Sequence, residues 1–346
     1  MLSRFHPFDP QKYQKIADFL SSAHDLKSRS FYVPDPVTDH DLLRVHTPAY
    51  LASLNSSATI SEIIDMGKLL FWVPNKLFQN HLLLPMRYAA GGTILAAQLA
   101  LRYGWAVNLA GGFHHAKANS GEGGCVFADI PLAVYTLWQG SSNKYGVNPP
   151  RPDLKIMIVD LDIHQGNGVE SILGKETGRV FIFDMFNKNV EHTDAALAQL
   201  PTVYTVPLDG GHLSSEIYGV PMPDIFAERC IERLITTEEY LAKLREHFPK
   251  ALARCMQQFG KKPDLIIYNA GTDLHKDDAW GCTNVSSHGI YLRDLYIFLE
   301  AFNKGIPIVM LPSGGYFKES AQVIATSIIN IIRWVILPAE ILQKNR

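Results

Sequence analysis

The sequence predicts an α/β fold, a mainly parallel sheet with helices on both faces. Two observations carry this expectation. Short apolar runs such as Ile156-Met-Ile-Val159 and Leu265-Ile-Ile-Tyr268 lack polar–apolar alternation, which marks strands buried on both faces. These runs alternate with helical stretches along the chain, the pattern of repeated parallel strand–crossover–strand units. No internal repeat or low-complexity linker interrupts the 346 residues, so residues 1–346 are expected to form a single domain.

Residues 1 to 55 read as helix and loop, broken by Val33-Pro-Asp-Pro36. A helix is expected from Pro85 to Tyr103, with Leu95, Leu99 and Tyr103 on one face and Ala and Gly filling much of the rest. Trp105-Ala-Val-Asn-Leu-Ala110 reads as a strand running into Gly111-Gly-Phe-His-His115, and residues 129–138 as a helix. Gly140 to Asp153 reads as a polar loop. Strands follow at 156–159, 180–183, 203–206, 265–268 and 306–311, with helices at 238–259 and 287–302. The tail from Val323 to Leu337, broken by Asn330 and Arg333, suits a buried terminal helix better than a membrane span.

Charged residues make up 19% of the chain and hydrophobic ones 47%, a globular rather than disordered profile. A formal net charge of −2 and the lack of basic runs give no reason to expect direct nucleic-acid binding. The first twenty residues have no continuous apolar core, so a secretory signal is not expected. Cys125, Cys230, Cys255 and Cys282 are scattered without paired spacing. A reducing, intracellular setting (cytoplasmic or nuclear) is therefore the expectation.

Chemistry concentrates where strands end. Four of them run into His114-His115, Asp160-x-Asp162-x-His164, Gly271-Thr-Asp273 and Ser313-Gly-Gly-Tyr316. In open α/β sheets the ligand crevice lies at the carboxyl ends of the strands, so these clusters should gather there. Asp162 and His164 share one side of an extended backbone. With Asp273 they offer one nitrogen and two oxygens, a three-ligand zinc set leaving a position for water, whose pKa zinc lowers to roughly 7. His114 and His115 would diverge on an extended backbone, and Gly111-Gly112 supplies the freedom to aim both into one crevice. One could act as general base and the other as general acid, with Asp160 and Asn167 as orienting partners. The Tyr316 hydroxyl could donate to a carbonyl oxygen as charge builds on it. Asp160 and Asp184 both close apolar strands, and such carboxylates need donors or a cation, for which a monovalent ion is a reasonable candidate.

In the order GGFHHA, DLDIHQGNG, NAGTD and SGGY, these motifs resemble the zinc-dependent histone deacetylases over roughly residues 5 to 335. His6-Pro-Phe-Asp9, Leu109-Ala-Gly-Gly-Phe-His-His115 and Asn167 in the GNG turn are closest to the class IV branch. The resemblance implies a three-layer arginase–deacetylase fold around about eight strands. It implies zinc at Asp162, His164 and Asp273, with Tyr316 polarising the amide carbonyl. His115 would be the general base, oriented by Asn167, and His114 its partner, backed by Asp160. Potassium would lie near Asp160, Asp162, His164 and Asp184. The implied substrates are acylated lysine side chains of proteins or peptides, entering a tunnel that draws on Gly112, Phe113, Gly123, Gly124, Glu191, Gly314 and Gly315.

Three departures from the family pattern stand out. Met1 falls almost on the His-Pro-Phe-Asp segment, so the usual first strand is expected to be missing, or the sequence to be shortened at its start. Gly124 stands where many relatives have Phe, and the opposing aromatic wall falls at Glu191. A widened tunnel suits a long-chain fatty acyl group. Among the rivals, a two-metal ureohydrolase needs carboxylates two residues beyond His164 and Asp273, where Gly166 and His275 stand. An acetylpolyamine amidohydrolase shares the zinc machinery and would call for an acidic, narrow entrance. A catalytically inactive acyl-lysine binder has no physical need of the complete constellation.

Overall fold

The computed structural model describes residue 9 and residues 11–23, 31–213, 230–232 and 234–338. Among them a central sheet holds six strands: β1 Trp105–Val107, β2 Ile156–Asp160, β3 Val180–Asn187, β4 Val203–Leu208, β5 Leu265–Asn269 and β6 Ile308–Leu311. Their order across the sheet is β1-β6-β5-β2-β3-β4, and every pairing is parallel. The parallel α/β architecture is as expected. Six strands rather than eight are seen among the described residues, and residues 6–8 of the His-Pro-Phe-Asp segment lie outside them.

Side-chain alternation on buried strands builds two cores. Met157, Val159, Phe181, Phe183, Ile266 and Met310 face one side of the sheet. There they meet helices α1 (Lys12–Ser22), α5 (Thr237–Phe259), α6 (Ser287–Asn303) and α7 (Ser320–Ile331). Ile156, Ile158, Val180, Ile182, Ile267 and Val309 face the other side. They pack on α2 (Leu84–Tyr103), α3 (Asp129–Gln139) and α4 (Asn167–Leu173). The terminal apolar stretch continues from α7 into a π-helical turn, Ile332–Ile336, and no helix of the described residues is long and apolar enough to cross a membrane.

Three expectations need correction. Helix α2 buries its small residues, Ala89, Ala90, Gly91, Gly92, Ala96, Ala97 and Ala100, together with Leu95, whereas along the Leu95–Leu99–Tyr103 stripe Leu99 is only half-buried and Tyr103 is exposed. A Cβ at Gly92 would lie 2.6 Å from the Asn108 Oδ1, so close approach selects the small face. The 140–153 loop contains a two-stranded antiparallel ladder, Ser141–Asn143 against Gly146–Asn148. Cys230 and Cys282 form a disulfide across 52 positions, a pairing that sequence spacing does not reveal.

Candidate active site and metal centre

Register across the sheet sets the site. Asp160 at the end of β2 is level with Asp184 in β3 and with Asn269 at the end of β5. The loops leaving β1, β2, β5 and β6 therefore meet at one edge, as expected for strand carboxyl ends.

Asp162, His164 and Asp273 are all buried, and each offers a ligand atom within 4.8 Å of the others. The His164 Nδ1 lies 3.0 Å from the Asp273 Oδ2 and 3.3 Å from the Asp162 Oδ1. Backbone donors hold the remaining lone pairs: Ile163 N–H donates to the Asp273 Oδ1 and Gly314 N–H to the Asp162 Oδ2. Burial and the neighbouring Asp162 carboxylate push Asp273 up to about 6. Burial lowers the His164 imidazole, but Asp162 and Asp273 overcome it and draw it up to about 10. Both directions mark a pocket that favours positive charge. The backbone leaves room for these carboxylates only because glycine flanks them. A Cβ at Gly314 would lie 2.4 Å from the Asp273 Oδ2, and one at Gly271 would lie 2.1 Å from the Asp162 Oδ2. The donor set, one nitrogen with two carboxylates, fits zinc.

The loop after β1 turns through Gly111 and Gly112, both at positive φ (+87° and +86°). A buried carboxylate that the sequence reading missed, Asp129 at the start of α3, fixes this turn. It accepts hydrogen bonds from Gly112 N–H (2.8 Å), Phe113 N–H (2.8 Å) and the Thr93 hydroxyl (2.6 Å). The turn delivers His114 and His115 with ring centroids 4.1 Å apart. Phe113 packs on the small cluster of Ala116, Cys125 and Ala128.

The two histidines have different partners. His114 Nδ1 lies 2.9 Å from the Asp160 Oδ2, and its Nε2 lies 3.6 Å from the Asp162 Oδ1. Burial pulls its pKa down, but Asp160 and Asp162 more than reverse this and raise it to about 9. His115 Nδ1 lies 2.9 Å from the Asn167 Oδ1. Burial first, then the neighbouring His114, His192 and His164, hold His115 well below the usual histidine range.

Asp184 accepts from Gly166 N–H through Oδ2, while its Oδ1 is buried with no hydrogen-bond partner. Burial, Asp160 and Glu170 raise its carboxyl well above the usual range. Tyr316 is half-buried, and its backbone N–H donates to Asp278 at 2.7 Å. Burial, then Asp273 and Asp162, lift its phenol well above the usual range, so it stays protonated.

The ring facing His115 belongs to His192, one residue beyond Glu191, at 4.7 Å between centroids. His192 adopts φ +67°, and a Cβ on Gly123 would lie 3.3 Å from its Nε2 and 2.7 Å from the His115 ring. Glu191 instead acts on Asp65, whose carboxyl burial, Glu191 and Glu122 together raise to about 6. A Cβ on Gly124 would meet nothing within 4 Å, so open space does lie there.

Lys12 was also missed. Its Nζ is buried and donates to the carbonyls of Ser313 (2.8 Å) and Gly314 (3.1 Å), bracing the turn before Tyr316. A sequence signal existed: Lys12 shares a helical stripe with Ile16 and Leu20, all three buried. The two places where a second metal would need carboxylates are closed. A Cβ on Gly166 would lie 2.6 Å from the Asp160 Oδ2, and His275 stacks on Phe317 with its Nε2 2.9 Å from the Ser287 hydroxyl.

Comparison with known proteins agrees with this geometry. Residues 6–332 match the histone deacetylase domain model. The chain is 39% identical to histone deacetylase 2 of Arabidopsis thaliana over 96% of its own length and 75% of that protein. Among solved structures, the HDA15 HD domain superposes with a TM-score of 0.67 at 18% identity, covering 96% of this chain and 86% of that one. An HDAC homolog solved with SAHA gives 0.62 at 18%, covering 92% and 76%. At that identity the superpositions establish the arginase–deacetylase fold alone. The family match and the Arabidopsis relative go further, and this chain belongs to the histone deacetylase domain family.

Proposed function

We propose that the protein is a zinc-dependent lysine deacylase of the class IV type, hydrolysing the amide of N-ε-acyl-lysine in proteins or peptides. The observation that carries this is the Asp162–His164–Asp273 group beside two histidines with opposite proton affinities. Zinc bound by those three residues would polarise the amide carbonyl and make water nucleophilic near neutral pH. His115, held neutral, accepts the proton of the attacking water at Nε2, its Nδ1 being engaged by Asn167. His114, held cationic by Asp160, carries a proton for the leaving amine. The Tyr316 hydroxyl stays protonated and can donate to the carbonyl oxygen as charge builds. Gly112, Phe113, Gly123, Gly124, Glu191, Gly314 and Gly315 would form the acyl-lysine tunnel, with His192 beside Glu191 facing His115. The open space at Gly124 favours a long-chain fatty acyl group over acetyl alone. A potassium ion beside Asp160 and Asp184 would satisfy the Asp184 oxygen that has no hydrogen-bond partner.

The mutual proximity of Asp65, Glu122 and Glu191 favours a second reading, an acylpolyamine amidohydrolase, since a cluster of carboxylates attracts cationic substrates. A panel of acetyl-lysine peptide, myristoyl-lysine peptide and acetylspermidine, run with and without a zinc chelator and with metal analysis, separates the two. Chelator-sensitive turnover of peptides with preference for myristoyl is expected. Preference for acetylspermidine selects the polyamine reading, and clear preference for acetyl-lysine removes the long-chain assignment. His115→Ala should abolish turnover with zinc near stoichiometric, and retained activity would remove it from the base role.

A further inference from the structure

Asn167 poses a problem that a carboxylate in its place would not. A carboxylate beside an imidazole can only accept, so it forces the proton onto the facing nitrogen. An amide is two-faced. With its oxygen toward His115, Nδ1 carries the proton and Nε2 keeps the lone pair needed for general-base work. Turned over, the amide nitrogen donates to Nδ1, the proton moves to Nε2, and the base is disabled. Something has to choose the face.

Glu122 stands on the far side of Asn167. Its Oε1 accepts from the Asn167 Nδ2 at 2.5 Å, while the Asn167 Oδ1 lies 2.9 Å from the His115 Nδ1. Reversing the amide would set two oxygens 2.5 Å apart, which is repulsive. The carboxylate is held in place from several directions. Lys117 Nζ lies 3.0 Å from the same Oε1, and the His192 Nδ1 lies 3.8 Å from it. Its backbone is pinned by Cys125 N–H donating to the Glu122 carbonyl at 2.9 Å, in a turn through Gly123 and Gly124 at positive φ.

We propose that Glu122 is a positioning residue that locks His115, through Asn167, in the tautomer with Nε2 free. The inference rests on the reading of His115 as general base. It also explains what the relay gains over a direct contact. Asp160 touches His114 and raises its proton affinity, whereas Glu122 acts through a neutral amide, fixing orientation without placing its charge against the ring.

The test is Glu122→Gln, which keeps the shape but can present either face to Asn167. Two readouts on the zinc-loaded protein are taken: steady-state kinetics on an acyl-lysine peptide, and the ¹⁵N shifts of the His115 ring without substrate. The kcat should fall roughly tenfold to hundredfold, the scale of one hydrogen bond to a charged group, with KM changed less than twofold. The ring should pass from the Nδ1–H form to a mixture. In an Asn167→Asp background, where a direct carboxylate sets the tautomer, the same substitution should cost less than twofold. An unchanged tautomer in Glu122→Gln overturns the proposal, whether or not kcat falls, as does an undiminished loss in the Asn167→Asp background. Tautomer mixing in a protein that hydrolyses no acyl-lysine peptide would uphold the lock and refute the assigned function.

Discussion

Replacing Asp129 with Asn perturbs the loop that carries the histidine pair without touching either ring. The carboxylate accepts three hydrogen bonds, from two consecutive backbone N–H groups and one hydroxyl, and is fully buried. An amide can keep one oxygen in place, but its nitrogen then faces a donor. At about 1–3 kcal/mol for a buried unsatisfied donor, and a further 1.5–3 kcal/mol for a lost charge-assisted bond, the fold should lose about 2.5–6 kcal/mol. Gly111 and Gly112 then lose the anchor for their turn, and a 1 Å drift of the histidines costs about a hundredfold in rate. The proposed metal ligands lie on the loops after β2 and β5 and should be spared. Urea unfolding, zinc content and kcat measured on the same folded sample give the answer. A lowered unfolding midpoint, stoichiometric zinc and kcat down about a hundredfold are expected. A kcat within threefold of the parent would refute the idea that this carboxylate aims the histidines.

Other outcomes follow from named contacts. Ala128 N–H donates to the His46 Nε2 at 3.0 Å, and burial lowers His46 to about 4. The fold thus favours the neutral ring, so about 3 kcal/mol of stability, present above pH 6.5, should drain away between pH 6.5 and 4. His46→Gln should flatten that slope in urea titrations. Cys230→Ser opens a bridge spanning 52 positions. It should cost up to about 4 kcal/mol by loop-closure entropy and should leave the melting temperature insensitive to reductant. Gly314→Ala places a Cβ 2.4 Å and 2.6 Å from the Asp273 and Asp162 carboxylates. Its zinc affinity should fall about 10–100-fold by competition with a chromophoric chelator.

The sequence exposed the parts of this site that are contiguous. Asp160 ends β2, Asp162 and His164 follow it directly, and Asp273 and Tyr316 follow β5 and β6 within a few positions. A buried parallel strand announces itself by its apolar run, and whatever polar group ends it stands out. Contacts made across long separations left no such mark. Asp129 reads locally as an acidic residue opening an apolar helix, and nothing in its neighbours points to Gly112. Glu122 looks like a loop glutamate until Asn167, 45 positions away, is seen against it. The approach of His192 to His115 left no mark either, because His192 sits at positive φ in an irregular loop with no periodicity to count. The small-residue face of α2 was hard to weigh because hydrophobicity ranks leucine above alanine, whereas the side-chain amide of Asn108 approaches Gly92 too closely for any larger residue there.

Two adjacent histidines with the same covalent chemistry reach opposite proton affinities here, and the cause can be located. Both are buried, which lowers both. Of the two, only His114 has a carboxylate at hydrogen-bond distance on Nδ1; His115 meets an amide there, and the neighbouring His114, His192 and His164 add to its lowering. Part of the His114 shift comes from Asp162, which a bound dication would largely neutralise. The Asp160 contact is separate from the proposed ligand set and survives that change. The order of the two affinities is therefore expected to persist in the metal-loaded protein, although the gap narrows. Environments that push neighbouring groups apart are what the proposed acid and base roles of the pair rest on. In this chain the difference in affinity comes down to a carboxylate behind one ring and an amide behind the other.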